Sequence, residues 1–228
     1  CIFLSFPLKP FIAIKTSLIN SQNEKIISSI RYLCLNLHHQ FIVFIKMEYI
    51  KTEIEGVWIL QPKVFDDARG YFFEVFKQSD FEQHIGKVNF IQDNESKSTY
   101  GVLRGLHYQK EDLSQAKLVR VISGKVLDVA VDIRKNSPTF GKHVMVELSG
   151  ENKRQFFIPR GFAHGFLVMS DEAVFTYKVD NLYSPQNEAS IRFDDPDLAI
   201  QWPLNMDNVL TSPKDLTAVS FKDAVVFE

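Results

Sequence analysis

From residue 47 onward, apolar positions fall into short runs separated by turn-forming residues. Runs at 57–65 and 71–77 flank Asp66-Asp67-Ala68-Arg69-Gly70, which reads as a hairpin turn. Residues 117–134 read as a long strand pair broken at Ser123-Gly124. In its second half Leu127, Val129, Val131 and Ile133 share one face, and Val126, Asp128, Ala130 and Asp132 share the other. One face is therefore core, and the opposite one mixes apolar and acidic groups. Further strands are predicted at 142–148, 155–158, 166–169 and 174–179. The best helix candidate is 79–85, with Ser79 or Asp80 as cap and Gly86 as stop. There is no βαβ alternation, no G-x-G-x-x-G and no P-loop. The pattern predicts an all-β fold with a few short helices, a jelly roll.

The first 46 residues break the pattern. They contain none of the ten glycines, show no clear period, and hold five Lys/Arg against one acid. Their longest stretch without Lys, Arg, Asp or Glu, residues 32–45, is short of the roughly 20 apolar residues that span a bilayer. The order of a signal peptide is missing too. Regular patterning begins right after Met47-Glu48-Tyr49. Met47 is thus read as the biological start and 1–46 as a non-native or upstream-translated extension, with 47–228 the folded domain. An amphipathic anchor is the competing reading, and it would require a sustained moment.

Composition narrows the partners. Net charge is −2 overall, and residues 47–228 carry 21 basic and 27 acidic groups, net −6. A nucleic-acid reader is usually basic where it is folded, and this domain is not, which leaves room for a small anion held by a few placed arginines. Twenty phenylalanines lean the chain further towards sheet. Both cysteines, Cys1 and Cys34, precede residue 47, leaving no thiolate metal site or disulfide framework in the domain. That suits a reducing cytoplasm and no membrane.

Of the four histidines in the domain, His84 lies in the helix candidate and His143 opens a strand, so both read as surface residues. His107 sits in Val102-Leu-Arg-Gly-Leu-His-Tyr-Gln109, where strict alternation points Gly105, His107 and Gln109 one way and Arg104, Leu106 and Tyr108 the other. His164 sits in Pro159-Arg-Gly-Phe-Ala-His-Gly165, read as a strand ending in a tight turn. Either histidine alone is most simply a hydrogen-bonded structural residue. Their shared setting, Gly-flanked and near charge, argues for a site.

Pro159-x-Gly161-x-x-His164 resembles the second motif of the cupin superfamily, whose fold is a double-stranded β-helix. Metal-dependent cupins carry H-x-H and a nearby Glu in their first motif. The matching place here is His107-Tyr108-Gln109, with a single imidazole, so no metal or cofactor is expected. The match narrows with Gln92-Asp-Asn94, Lys117-Leu-Val-Arg120, Asp128-Val-Ala-Val-Asp-Ile-Arg134 and Ser137-Pro-Thr-Phe-Gly141. Glu151-Asn-Lys-Arg-Gln155, Tyr177-Lys178 and Asp195-Pro-Asp-Leu-Ala-Ile-x-Trp-Pro203 follow in order. Together these resemble the dTDP-4-dehydrorhamnose 3,5-epimerase family, from about Met47 to at least Asp215.

What the resemblance implies is an enolate reaction beside the keto group of a dTDP-linked 4-keto-6-deoxyhexose, on the route to dTDP-rhamnose. By similarity His107 is the base, Asp215 the carboxylate that holds it, Tyr177 the acid and Lys117 the stabiliser of the enolate oxygen. Asp128 and His164 border the same pocket. Arg69 and Arg104 match diphosphate or sugar recognition, as a guanidinium fork allows. Glu74, Gln92, Asn94, Glu188 and Lys214 match ligand-contacting positions, and Tyr183 and Phe65 are candidates to stack on thymine or line the sugar pocket. The family also implies a homodimer in which strands of one subunit complete the other's site. Without the resemblance, Tyr177 reads as a core tyrosine and Lys117 as a solvated edge lysine.

Two rivals stay open. A mono-epimerase acting at carbon 3 or 5 alone would share nearly all these motifs. A non-catalytic sugar-binding cupin would have lost base, acid and cation together, yet all three are here. A metal-dependent dioxygenase would need the missing ligands, and a ketoisomerase fits the ordered match less well.

Overall fold

A computed structural model describes residues 47–205 and 208–228. The expectation for 1–46 lies outside the described residues. The domain opens with β1 (Glu48–Lys51), β2 (Trp58–Gln61), β3 (Phe65–Asp67), β4 (Gly70–Phe72) and helix α1 (Gln78–His84). Next come β5 (Gln92–Thr99), β6 (Leu103–Gln109), β7 (Lys117–Ser123), β8 (Lys125–Asp132) and β9 (His143–Ser149). After them follow β10 (Gln155–Ile158), β11 (Phe162–Val168), β12 (Glu172–Val179), β13 (Glu188–Ser190) and helix α2 (Pro213–Leu216).

The strands form two facing antiparallel sheets, the jelly roll that the turn-separated runs predict. One sheet runs β1-β2-β10-β7-β12-β5, the other β13-β6-β11-β8-β9, and β3-β4 form a separate hairpin. Between the sheets Val119, Val121 and Phe175 meet Val126, Ala130, Val144, Val146 and Phe166.

Both outer faces are also partly covered, which accounts for much of the apolar content. Leu106, Val129, Val131 and Ile133 pack under a returning C-terminal segment that includes Ile191, Leu198 and Ile200. On the other sheet, Leu60, Leu118 and Phe157 pack against Phe81 of α1. Phe81 meets Phe90 and Phe157 edge-on, with ring centroids 5.6 and 5.2 Å apart. Complete burial of such a ring contributes about 1.5–3 kcal/mol, enough to dock a two-turn helix. The mixed face of β8 thus proves to be the inner one, and its outer face is core as well.

Several expected boundaries move. The hairpin is present, but its turn is only Ala68-Arg69, with Asp66, Asp67 and Gly70 inside the paired strands. Helix α1 starts one residue early, is capped at Lys77 rather than at Ser79 or Asp80, and has no side-chain cap bond. The segment 117–134 is not a hairpin, because β7 and β8 belong to different sheets. The chain crosses between them at Gly124, whose φ of +79° puts a hypothetical Cβ 2.0 Å from the Glu172 carbonyl oxygen. Only glycine fits there. His164 lies in mid-strand, since β11 already begins at Phe162.

The Asp132-to-Gly141 motif is structural. The Asp132 carboxylate, fully buried, accepts hydrogen bonds from Arg134 Nε (2.9 Å), Ser137 Oγ (2.6 Å) and Thr139 Oγ1 (2.7 Å). Burial alone would raise its pKa, but the donors outweigh it and hold the acid at about 2.

Candidate active site between the sheets

Four residues of the two sheets set the geometry. His107 on β6 and His164 on β11 are paired directly across the five-stranded sheet. On the facing sheet, Lys117 of β7 is opposite Val179 of β12, so Tyr177, two positions along, is its diagonal neighbour on the inner surface. All four line one cavity of about 180 Å³, together with Arg104, Ser96, Glu95, Phe166 and Phe175. Imidazoles enter from one sheet; the amine and the phenol enter from the other.

Alternation would separate Arg104 from His107, yet both reach the cavity. The cause is a slip in pairing: His164 is opposite His107, but Phe166 is opposite Arg104. Such a bulge re-aims side chains. Gly105 sits at the slip with φ +139°, and a Cβ there would lie 2.5 Å from the Gly165 Cα. The two glycines let the strands approach, which brings the histidines together.

Each imidazole is backed by a carboxylate. His107 Nε2 is 2.5 Å from Asp215 Oδ1, and Asp215 is only 3% exposed. Burial opposes ionisation of Asp215, but the bonds from His107 and Ser212 prevail and keep its carboxyl below the usual range. His164 Nε2 lies 2.9 and 3.1 Å from the two oxygens of Asp128. Burial lowers the pKa of His164 despite Asp128, so its ring is neutral near pH 7 and donates to that carboxylate.

The facing pair is tuned by burial too. Burial brings Lys117 down to about 8, while Asp128 and Glu188 pull it the other way. It still holds its proton at pH 7 by roughly ten to one. Burial raises Tyr177, partly offset by Arg104, so the phenol keeps its proton near neutral pH. Arg104 is itself oriented by a bond from Nε to Ser98 Oγ at 3.1 Å.

The remaining expected residues divide. Glu188 accepts from Tyr183 Oη at 2.7 Å and pairs with Lys214 of α2, and none of the three lines this cavity. Asn94 lines a larger neighbouring cavity of about 360 Å³, which shares Glu95 and Tyr177 with the first. Gln92 is bonded to Asn94 at 2.8 Å. Arg69 is not brought to either cavity: its side chain is 90% exposed at the hairpin tip, bonded to Asp67. Glu74 and Phe65, in the same β3–β4 region, do not line them either. Neither His84 nor His143 is freely exposed; His84 stacks on Tyr49 with ring centroids 4.2 Å apart, and His143 is partly buried. Among the described residues, no three His, Cys, Asp or Glu side chains converge as a metal would need.

Sequence reasoning missed Phe175, Ser96, Ser98, Phe166 and Ser212. Phe175 was findable, being two positions from Tyr177 on the same face. Ser212 also left a signal, as Ser-x-x-Asp is the spacing of a helix cap.

The chain is similar to known proteins in both sequence and fold. The sequence profile of the dTDP-4-dehydrorhamnose 3,5-epimerase family matches residues 51–223. The dTDP-4-dehydrorhamnose 3,5-epimerase of Shigella flexneri is 58% identical over 182 residues, covering 79% of this chain and 99% of that protein. The dTDP-6-deoxy-D-glucose-3,5-epimerase of Legionella pneumophila, solved with dTDP-4-keto-L-rhamnose, superposes with a TM-score of 0.76 at 51% identity, covering 79% and 95% of the two chains. A 3'-monoepimerase of Streptomyces bikiniensis, solved with dTDP-quinovose, gives 0.71 at 34% identity, covering 76% and 87%.

Proposed function

The chain belongs to the dTDP-4-dehydrorhamnose 3,5-epimerase family, and on that premise we propose that it inverts carbons 3 and 5 of dTDP-4-keto-6-deoxy-D-glucose, giving dTDP-4-keto-L-rhamnose. The observation that carries this reading is the facing of the His107–Asp215 pair by Tyr177 across one cavity, with the Lys117 amine beside the phenol. Inversion at carbon needs a base on one face of the ring, an acid on the other, and positive charge where the enolate oxygen develops.

The keto group at carbon 4 acidifies its neighbours by spreading the carbanion onto oxygen. Asp215 holds Nε2 of His107, which leaves Nδ1 to accept the proton from carbon. As the C–H bond breaks, its electron pair becomes the C=C bond of the enolate, and charge gathers on oxygen 4. Lys117 stabilises it. The enolate collapses as Tyr177 gives its phenolic proton to the opposite face of the same carbon. His107 then loses its proton and Tyr177 regains one through solvent, and the cycle repeats at the second carbon.

At about 180 Å³ the cavity is small beside the roughly 300–1,000 Å³ of pockets for drug-sized ligands. It suits the sugar ring alone, with the nucleotide running outward past Arg104, Glu188 and Lys214. In a homodimer, the hairpin carrying Arg69 would supply that guanidinium and Glu74 to the partner's nucleotide, which accounts for their distance from the cavity in one chain. Among the described residues, no helix is long and apolar enough to cross a membrane. A reducing cytoplasm is the compartment that fits the cysteine-free domain.

Incubation with dTDP-4-keto-6-deoxy-D-glucose in deuterium oxide tests the activity. NMR should find label at carbons 3 and 5 and the L-rhamno configuration in the product. Label at one carbon would make the chain a mono-epimerase, and no label would make it a binding protein.

A further inference from the structure

We infer that Ser212 is a positioning residue for the His107–Asp215 pair, its hydroxyl fixing the carboxylate oxygen that the imidazole does not use. This rests on the reading of His107 as the base. Asp215 is held on both sides: Oδ1 meets His107 Nε2 at 2.5 Å, and Oδ2 accepts from Ser212 Oγ at 2.9 Å. The same Oγ accepts the Asp215 backbone N–H at 3.2 Å. One hydroxyl therefore clamps both the backbone and the side chain of the carboxylate that orients the ring.

The clamp stands on firm supports. Leu210, just upstream, exchanges backbone bonds with the start of β6, Leu103 N to Leu210 O at 2.9 Å and Leu210 N to Gly101 O at 2.8 Å. Just downstream, Val219 bridges to Ile191 and accepts the Arg192 N–H at 2.9 Å. Four-residue α2 is thus suspended between two anchors on the sheet that carries His107. Within that span, Ser212 is the side chain among the described residues that bonds Oδ2. Without the hydroxyl, the carboxylate is free to turn about its last torsion, and His107 follows it away from the angle at which Nδ1 addresses a ring carbon. Misplacement on this scale costs up to about a hundred-fold in rate.

A mere helix cap is the alternative role, and substitution separates the two. Glycine is nearly as good a cap as serine, and Ser212 sits at φ −75°, ψ 155°, open to either replacement. Ser212→Gly removes the hydroxyl, and with it both bonds to Asp215, at little cost to helix stability; Ser212→Thr keeps the hydroxyl. Turnover of the dTDP-4-keto sugar by the full chain is measured for each, with His107→Asn in parallel. Ser212→Gly should lower kcat by about ten- to a hundred-fold, with KM and unfolding midpoint near wild type, and Ser212→Thr should recover most of that loss. Wild-type kcat in Ser212→Gly, or equal impairment in both variants, would overturn the inference. If His107→Asn itself turns over normally, it is the base assignment that fails, whatever Ser212 does.

Discussion

His107→Asn is expected to lose about a hundred- to ten-thousand-fold in kcat, the range that one positioned general base supplies, and to stop incorporating solvent deuterium. Asparagine is close to histidine in size and presents an amide to Asp215, so the buried carboxylate keeps a donor and the fold should survive. That separation matters, because Asp215 left bare would cost about 1–3 kcal/mol for an unsatisfied buried group and confuse catalysis with stability. The amide cannot accept a proton at neutral pH, so exchange at both carbons should fail together. Exchange surviving at either one would mean that another base serves it, and His164 would be the first place to look. Its Nε2 is held by Asp128 as that of His107 is held by Asp215, which leaves Nδ1 to accept in the same way.

The second large effect belongs to Lys117. Lys117→Met keeps the stem and removes the charge, and loss of one preorganised electrostatic donor typically costs about a hundred- to a thousand-fold in kcat. The same residue predicts a pH dependence. Burial sets its pKa at about 8, and the proposed mechanism needs the ammonium, so kcat/KM should fall as pH rises through about 8. Tyr177 does not produce that limb, since burial raises its pKa and the phenol stays protonated further up. Lys117→Arg, which stays charged throughout, should move the limb well to the alkaline side even if its rate is lower. A limb unchanged in that variant would assign the titration elsewhere.

The elements themselves were readable because alternation and turn residues report local geometry directly. The strand at 155–158 appears with the expected bounds. What sequence could not convey was which strands pair. Residues 117–134 carry the signature of a hairpin, two apolar runs about a glycine, yet Gly124 serves to pass the chain between sheets. Local pattern is identical in the two cases; only the partners differ. Arg104 shows a second limit. A period of two separates it from His107, and the pairing slip at Gly105 puts them back together, a consequence of how closely β6 and β11 approach. The pairing of Asp215 with His107 spans 108 residues and no periodicity reaches that far; only the family resemblance proposed it. Arg69 marks the opposite case, a residue matched by motif whose place in a single chain is at an exposed hairpin tip.

The proposed inversion turns on how the sugar ring lies between the sheets, and a crystal structure of His107→Asn with dTDP-4-keto-6-deoxy-D-glucose measures that most directly. The keto oxygen should lie about 3 Å from Lys117 Nζ, within hydrogen-bond reach, with Tyr177 Oη and residue 107 on opposite faces of carbons 3 and 5. A ring held with both groups on one face, or seated outside this cavity, would contradict it.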